Sequence, residues 1–253
     1  MNWELSFLGP QPSGEPETHR ALIVLNQPFS FDLLQTLWNA CDWRCCADGG
    51  ANRLHDLLER GQAGTKDARS LFLPDLIKGD LDSLRDDVKG YYASLGVPVI
   101  KDPDQYSTDL MKCVRMVEEK ERSEGRHYDI LVLGGLSGRL DQTVHTLSYL
   151  HKLRKTRKRT FAVTDDNVGW VLDEGEHFIQ IDHTILGPTC GLLPVGIGST
   201  ILSTTGLRWN LTDTESSFDG MVSTSNHLVP EERTVWIKTS QPIWWCAELK
   251  KRA

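Results

Sequence analysis

The 253-residue sequence predicts an N-terminal parallel α/β sheet domain followed by a C-terminal antiparallel β-sandwich. In the first half, short apolar runs alternate with helical patterns, which is typical of βαβ units with a parallel sheet covered on both faces. From Thr160 onward, Thr-rich and alternating segments are separated by turn residues, which favours antiparallel β structure. We therefore assign residues 21–159 to the α/β domain and residues 160–253 to the sandwich.

Each predicted strand of the first domain is a short apolar run, and a helical pattern follows it. In the second helix Leu54 and Leu58 share one face, and in the fourth Met111 is in register with Val114. The strands are Ala21 to Leu25, Arg44 to Ala47, Leu76-Ile77, Val97 to Ile100 and Ile130 to Leu133; the helices are Phe31 to Ala40, Ala51 to Arg60, Asp86 to Ser94, Leu110 to Glu121 and Gln142 to Leu153.

The second domain has no helical pattern, and it holds five of the eight tryptophans of the chain. Its strand candidates include Phe178 to Ile181, Ser199 to Thr205 and Thr234 to Thr239. Turn signals such as Asp173-Glu174-Gly175 and Asp219-Gly220 separate them. We place the boundary between the domains near residue 160.

The composition excludes several classes of partner. With 35 acidic against 28 basic residues, the net charge of −7 argues against nucleic-acid and membrane-surface binding. No apolar run approaches the ~20 residues that span a bilayer. Residues 1–20 contain three prolines and lack the apolar core of a signal peptide, so we expect a disordered leader. The six cysteines show no metal-binding spacing and are expected to be buried reduced thiols of a cytoplasmic protein.

Acidic residues follow the predicted strands of the first domain. Asp48 follows the second strand, and Asp80 and Asp82 follow the third, where alternation along an extended segment would put both carboxylates on one side. Ligands of parallel sheets bind beyond the carboxyl ends of the strands, so these acids would share one crevice. The later strands and helices add Asp104, Asp109 and Asp141.

Close carboxylates repel one another unless cations hold them, and hard oxygen ligands around a nucleotide triphosphate are typical of Mg²⁺. Any single Asp could instead be a helix cap or a turn residue. The repetition of Asp after successive apolar runs favours the metal site.

Two glycine clusters join predicted strands to helices, at residues 48–53 and 134–139. Glycines at such junctions let a phosphate approach backbone N–H groups, and Arg53 and Arg139 would add charge-assisted contacts. Tight turns are the alternative explanation. Neither cluster matches the P-loop or the dinucleotide fingerprint, so a phosphate chemistry based on Mg²⁺ and backbone groups fits better.

Taken in order, these motifs resemble those of eukaryotic thiamine pyrophosphokinases from about residue 21 to residue 250. The resemblance rests on Asp48-Gly49-Gly50-Ala51-Asn52-Arg53, Gly79-Asp80-Leu81-Asp82-Ser83, Pro103-Asp104-Gln105 with Thr108-Asp109, Gly134 to Gln142, Cys190 to Gly196, Thr205 to Leu211 and Val222 to Asn226. It implies transfer of the pyrophosphoryl group of ATP to the hydroxyl of thiamine, which yields thiamine diphosphate and AMP. It also implies a homodimer whose active sites are shared between subunits.

The resemblance assigns roles to residues by motif match. It places Mg²⁺ and the phosphates at four acids, and thiamine in the β domain of the partner subunit. The metal ligands are Asp48, Asp80, Asp82 and Asp109, of which the last three are the catalytic candidates; the substrate-binding candidates are Asp48, Asn52, Arg53, Gln105, Gly135, Arg139, Asp141, Trp209, Ser223, Ser225 and Asn226.

The residue chemistry agrees with these roles, because a cationic thiazolium favours an aromatic face such as Trp209. A core position for Trp209 remains the alternative. Tyr106-Ser107 departs from the family pattern, where an acid and a histidine are common, and leaves the metal count open. Two other functions remain: a metal-dependent nucleotide phosphohydrolase using the same crevice, and a non-catalytic binding regulator.

Overall fold

The computed structural model describes residues 1–9, 18–60 and 68–251. Contacts divide the chain into two compact units, Gln11–Ser137 and the combination of Met1–Pro10 with Gly138–Ala253. We call the first the α/β unit and the second the β unit. Within the described residues, no helix has both the length and the apolar character needed to cross a bilayer.

The α/β unit is built on a parallel sheet with the strand order β6-β2-β3-β4-β5. The predicted alternation of strands and helices is therefore confirmed. The elements are β2 (Arg20–Val24), α1 (Phe31–Asn39), β3 (Trp43–Ala47), α2 (Gly50–Arg60), a short 3₁₀ helix (Ala68–Leu71), β4 (Leu76–Gly79), α3 (Asp86–Ser94), β5 (Val99–Lys101), α4 (Asp109–Glu124) and β6 (Asp129–Leu133). Strand β1 (Asn2–Trp3) precedes them in the chain and belongs to the β unit.

Local sequence signals start and stop the helices of this unit. At the start of α4 the Thr108 side chain accepts a hydrogen bond from the backbone N–H of Met111, which satisfies one of the unpaired donors of the first turn. Gly125 ends the same helix in the left-handed conformation, with a φ of 67°. These caps fix where α4 begins, and with it the position of its first residue, Asp109.

Within the described residues, the β unit contains one α-helix and ten strands, which belong to two sheets. One sheet has the order β1-β9-β14-β11-β12, and the other contains β13-β10-β15-β8-β7. The elements are α5 (Leu140–Leu153), β7 (Thr160–Val163), β8 (Asn167–Leu172), β9 (Gly175–Gln180), β10 (Leu186–Leu193), β11 (Thr200–Thr205), β12 (Thr214–Ser216), β13 (Ser223–His227), β14 (Thr234–Thr239) and β15 (Ile243–Leu249), with a short 3₁₀ helix at Ser6–Leu8. The pairing is antiparallel apart from β1, which runs parallel to β9.

Tryptophans form the core between these two sheets. The rings of Trp3 from β1 and Trp170 from β8 are 5.6 Å apart, and Trp245 from β15 lies 6.5 Å from Trp170. The indole N–H of Trp3 donates to Nδ1 of the buried His177 at 3.0 Å. Packing across the interior of the unit confirms the predicted β-sandwich.

The described structure differs from the predicted boundaries at two points. Residues 2–8 are ordered rather than part of a disordered leader, because β1 pairs with β9 and Trp3 is buried in the core. The remainder of the predicted leader from residue 10 to residue 17 lies outside the described residues. The contact division falls after Ser137 rather than near residue 160, because α5 packs against β8 and groups with the β unit.

Candidate active site

Three aspartates of the α/β unit bring their carboxylates together. Asp48 follows β3, Asp80 follows β4 and Asp109 is the first residue of α4. One oxygen from each carboxylate lies within 4.8 Å of the others. Because β3 and β4 are parallel neighbours, their carboxyl ends lie at the same edge of the sheet. We call these three residues the acidic cluster.

Asp48 is the most buried member of the acidic cluster, with 2% of its surface exposed. Its Oδ2 accepts a hydrogen bond from the backbone N–H of Ser83 at 3.0 Å. Its Oδ1 is buried and has no hydrogen-bond partner among the described residues. Burial raises the pKa of Asp48 to about 6, and the nearby charges of Asp109, Asp82 and Asp80 also raise it. The free, buried oxygen is a position for a cation.

Asp109 is held at its position by two donors. Its Oδ1 accepts from the backbone N–H of Asp80 at 3.3 Å and from Nζ of Lys112 at 3.2 Å. Burial raises the pKa of Asp109. Lys112 is absent from the sequence-predicted site, although its spacing of three residues from Asp109 on the same helix could have indicated a contact.

Asp82 adjoins the acidic cluster, but the backbone geometry that places it there differs from the predicted extended segment. Leu81 has a φ of 63°, so the segment from Asp80 to Asp82 is not extended and strand alternation does not orient the two carboxylates. Instead the backbone N–H of Asp82 donates to Oδ1 of Asp80 at 3.2 Å. A hydrogen bond from the Ser83 hydroxyl at 2.9 Å lowers the pKa of Asp82.

Gly79 allows the acidic cluster to close. A Cβ at this position would lie 2.7 Å from Cβ of Asp48 and 3.0 Å from Oδ1 of Asp109. Only a residue without a side chain lets β4 end between the two carboxylates. The glycine of the Gly79-Asp80 motif thus has a steric reason in this fold.

The side chains of Asn52 and Arg53 form hydrogen bonds with other residues of the protein. The Asn52 amide donates to the carbonyl of Ser83 at 2.7 Å and accepts from the backbone N–H of Arg85 at 3.1 Å. Nε of Arg53 donates to Oδ1 of Asn26 at 2.9 Å. Both side chains therefore hold neighbouring segments of the site in place.

The second glycine cluster is also braced from inside. The backbone N–H of Gly135 donates to Oε1 of Gln27 at 2.8 Å, and the Ser137 hydroxyl donates to the same oxygen at 3.1 Å. The N–H of Gly135 is therefore engaged within the protein, and its contact with nucleotide or phosphate stays a prediction. Gln27 was missed from the sequence; its only signal was the polar Asn26-Gln27 pair directly after a predicted strand.

The loop before α4 holds Asp104 apart from the acidic cluster. Asp104 accepts from the Ser107 hydroxyl at 2.5 Å and from the backbone N–H of Tyr106 at 2.9 Å, and both bonds lower its pKa. The side chain of Gln105 is exposed and makes one long bond, from Nε2 to the carbonyl of Pro103 at 3.4 Å. It is therefore accessible to a ligand.

Arg139 and Asp141 belong to the β unit and pair with each other at the start of α5. The guanidinium donates to both carboxylate oxygens, at 3.1 and 2.6 Å, and this pair lowers the pKa of Asp141. Both side chains are largely exposed, so each could change partner when a ligand binds.

Trp209 presents an open aromatic face on the β unit, with 53% of its surface exposed. The Arg208 guanidinium lies 4.9 Å from its ring centroid, and the His227 ring lies 5.1 Å away. The buried Asn226 accepts from the backbone N–H of Trp209 at 3.2 Å and donates to its carbonyl at 2.8 Å. This exposure argues against a core role for Trp209, and Asn226 serves to fix its backbone.

Ser223 and Ser225 lie on β13, the strand that contains Asn226. Ser225 is exposed and has a φ of 55°. It lines a pocket of about 100 Å³ together with Thr224, the Cys190 and Cys246 thiols and the Glu248 carboxylate, among others. The strand β13 therefore contains both serines and also Asn226, which holds the backbone of the exposed Trp209.

Comparison with known families matches both parts of the chain. Residues 34–162 match the family described as "Thiamin pyrophosphokinase, catalytic domain". Residues 176–244 match the family described as "Thiamin pyrophosphokinase, vitamin B1 binding domain".

Individual relatives agree with the family matches. The chain is 39% identical over 246 residues to "Thiamine pyrophosphokinase 1" of Oryza sativa subsp. japonica, which covers 95% of this chain and 91% of the relative. It is 38% identical to "Thiamine pyrophosphokinase 1" of Arabidopsis thaliana over 97% of this chain and 92% of the relative. The crystal structure of yeast thiamin pyrophosphokinase superimposes with a TM-score of 0.83 at 28% identity, covering 99% of this chain and 90% of that one.

Proposed function

The chain belongs to the thiamine pyrophosphokinase family, and from this premise we propose that its acidic cluster is where pyrophosphoryl transfer from ATP to thiamine takes place. The resemblance and the enzyme assignment predicted from the sequence are thereby confirmed. The phosphohydrolase alternative receives no support from the comparisons. The observation that carries the proposal for the site is the convergence of Asp48, Asp80 and Asp109.

The residues of the acidic cluster fit Mg²⁺. Asp48 offers a buried oxygen without a hydrogen-bond partner, and carboxylate oxygens are the ligands that Mg²⁺ prefers. Burial, followed by the repulsion of neighbouring carboxylates, raises the pKa of Asp48, and a bound cation would stabilise its charged form against both effects. We assign Asp48, Asp80 and Asp109 as the residues that would hold it, with Asp82 beside them. When bound, Mg²⁺ would neutralise charge on the phosphates and align them.

In the reaction, the thiamine hydroxyl oxygen bonds to the β-phosphorus of ATP, the bond from that phosphorus to the α,β-bridging oxygen breaks, and AMP leaves. The hydroxyl proton is released to solvent. The chain's contribution is orientation: Ser83 and Lys112 fix the directions of Asp48 and Asp109. Gln27 and Asn52 hold the loops around the phosphates. No dedicated general base is required for this transfer.

We assign thiamine binding to the β unit. The open face of Trp209 suits a cationic thiazolium, and the Ser223 and Ser225 hydroxyls suit the polar edge of an aminopyrimidine. The match of residues 176–244 to a vitamin B1 binding domain supports this assignment. The Arg208 guanidinium beside Trp209 would have to move if the thiazolium stacks on the same face.

We make two further proposals, on the oligomeric state and on the location of the protein. The active form is a homodimer in which the β unit of one subunit completes the acidic cluster of the other, as the sequence resemblance implies. The enzyme works in the cytoplasm; its six free cysteines, five of them buried, suit a reducing compartment.

The site assignment is tested by Asp80→Asn, which keeps the shape of the side chain and removes its charge. We expect kcat to fall on the order of 100-fold, because a ligand to the metal is lost while substrate contacts remain. The measurement is thiamine-dependent AMP formation at saturating Mg²⁺, with unfolding followed by circular dichroism. Asp87→Asn is the matched control, since Asp87 is exposed on α3 and paired with Arg85 at 3.3 Å. Near-normal turnover by folded Asp80→Asn would remove Asp80 from the site.

A further inference from the structure

Lys112 is a lysine with almost no access to solvent. Only 1% of its surface is exposed, although it lies in the first turns of a surface helix. Its Nζ is 3.2 Å from Oδ1 of Asp109 and 3.9 Å from Oδ2 of Asp80. A buried ammonium is costly unless it is paired, so these carboxylates account for its position.

Burial distinguishes Lys112 from a phosphate-binding lysine. A lysine that binds phosphate must present its ammonium to the ligand, whereas Lys112 directs its ammonium to two carboxylates and away from solvent. Lys78 provides a contrast on the neighbouring strand β4, because its Nζ pairs with Asp102 at 3.6 Å, outside the acidic cluster. Lys112 acts on Asp80 and Asp109 rather than on substrate.

We propose that Lys112 is a positioning residue, a built-in counter-cation that holds Asp80 and Asp109 side by side before a divalent cation binds. This inference rests on the proposed Mg²⁺ site. The protein without metal has several close carboxylates, and the Lys112 ammonium pairs with two of them. Lys112 therefore keeps the site assembled while it is empty, and Mg²⁺ adds to an arrangement that already exists.

The proposal makes a prediction that a packing role does not. In Lys112→Met the apolar stem is retained and the charge is lost, so Asp80 and Asp109 repel one another in the metal-free protein. Added Mg²⁺ then supplies the missing positive charge. The defect should therefore be large without Mg²⁺ and small with it, whereas a packing defect would be the same in both conditions.

The experiment measures the Tm of the full-length protein in EDTA and in saturating Mg²⁺. For Lys112→Met we expect a loss of about 10 °C in EDTA and less than half of that loss in Mg²⁺. Lys112→Arg, which keeps the charge, should show the smaller Mg²⁺ dependence of the wild type. Lys120→Met is the matched control, because Lys120 lies on the same helix and its ammonium contacts the Glu124 carboxylate at 2.7 Å and the Tyr128 ring at 5.8 Å, neither of which belongs to the acidic cluster. Its Tm should shift equally in both conditions.

If Lys112→Met does not fold in EDTA, the double variant Lys112→Met/Asp109→Asn decides. It removes both the cation and one of the repelling charges, so recovery of a folded protein supports the proposal and failure to recover overturns it. An equal loss for Lys112→Met with and without Mg²⁺, or no loss, also overturns it. If Mg²⁺ leaves the Tm unchanged in the wild type and in every variant, the proposed metal site is wrong, and this inference is wrong with it.

Discussion

At the scale of single residues, the backbone at the acidic cluster adopts conformations that are rare for residues with a side chain. Asp48 and Leu81 have φ angles of 45° and 63°, in the left-handed region that non-glycine residues rarely adopt. Such strain persists where the surroundings impose it, and it is common at active sites. At this site two hydrogen bonds hold the backbone in place. The N–H of Ser83 donates to the Asp48 carboxylate, and the N–H of Asp82 donates to the Asp80 carboxylate.

Trp209→Ala tests the thiamine assignment at the same scale. We expect the KM for thiamine to rise about tenfold while kcat changes little, because the aromatic face would contribute to binding rather than to transfer. The measurement is initial rate against thiamine concentration at saturating ATP. Phe218→Ala is the matched control, since Phe218 is an exposed aromatic residue of the same unit. An unchanged KM for Trp209→Ala would exclude it from the site.

The sequence predicted which acids follow strands but not how their side chains are held. Asp48, Asp80 and Asp109 could be grouped because parallel strands end at one edge. The reason given for pairing Asp80 with Asp82 was wrong, because the turn at Leu81 replaces the expected extended segment. The contact of Lys112 with Asp80 and that of Gln27 with Gly135 depend on which helix and loop pack together, and no spacing within one segment specifies that.

At the scale of elements, the acidic cluster depends on where β4 ends and α4 begins. Gly79 is the last residue of β4 and Asp109 the first of α4. Close contact between these two ends is possible because Gly79 has no side chain.

Gly79→Ala tests this contact. The new Cβ would lie 2.7 Å from Cβ of Asp48 and push the carboxylates apart. We expect kcat to fall on the order of 100-fold with the fold retained, since a displacement of about 1 Å is enough for such a loss. Gly90→Ala is the control: it lies within α3, its Cβ would have nothing within 4 Å, and it should stabilise the protein by about 1 kcal/mol. Full activity for Gly79→Ala would show that the cluster is not sensitive to this contact.

Helical elements were predicted more closely than strands of the β unit. The predicted helix Leu110 to Glu121 corresponds to α4 at Asp109–Glu124, because apolar periodicity and the caps agree. The strand β1 was not predicted, since two residues carry no period and its partner β9 lies far away in sequence. Long-range pairing of this kind leaves no local pattern to detect.

At the scale of the whole molecule, the net charge of −7 is related to the proposed metal site. Part of the acidic excess lies in the acidic cluster, where it would attract a cation rather than repel a polyphosphate. The chain matches a catalytic domain at residues 34–162 and a vitamin B1 binding domain at residues 176–244. In the proposed homodimer, each active site takes one part from each subunit.

Mixing two impaired variants tests the shared site. Asp80→Asn disables the acidic cluster and Trp209→Ala disables the thiamine face, so a mixed dimer would contain one intact site and one doubly altered site. After subunit exchange at equal amounts, we expect recovery of about a quarter of the wild-type activity, measured at low thiamine concentration. No recovery, with exchange demonstrated by tagged subunits, would contradict sharing between subunits.

In the proposed reaction, this chain couples cleavage of ATP between its α- and β-phosphates to a thiamine hydroxyl. The most direct measurement is AMP release from ATP and Mg²⁺, with and without thiamine, together with identification of the thiamine product by mass. We expect AMP only when thiamine is present, in a one-to-one ratio with thiamine diphosphate. AMP or ADP released at the same rate without thiamine, or thiamine monophosphate as the product, would contradict it.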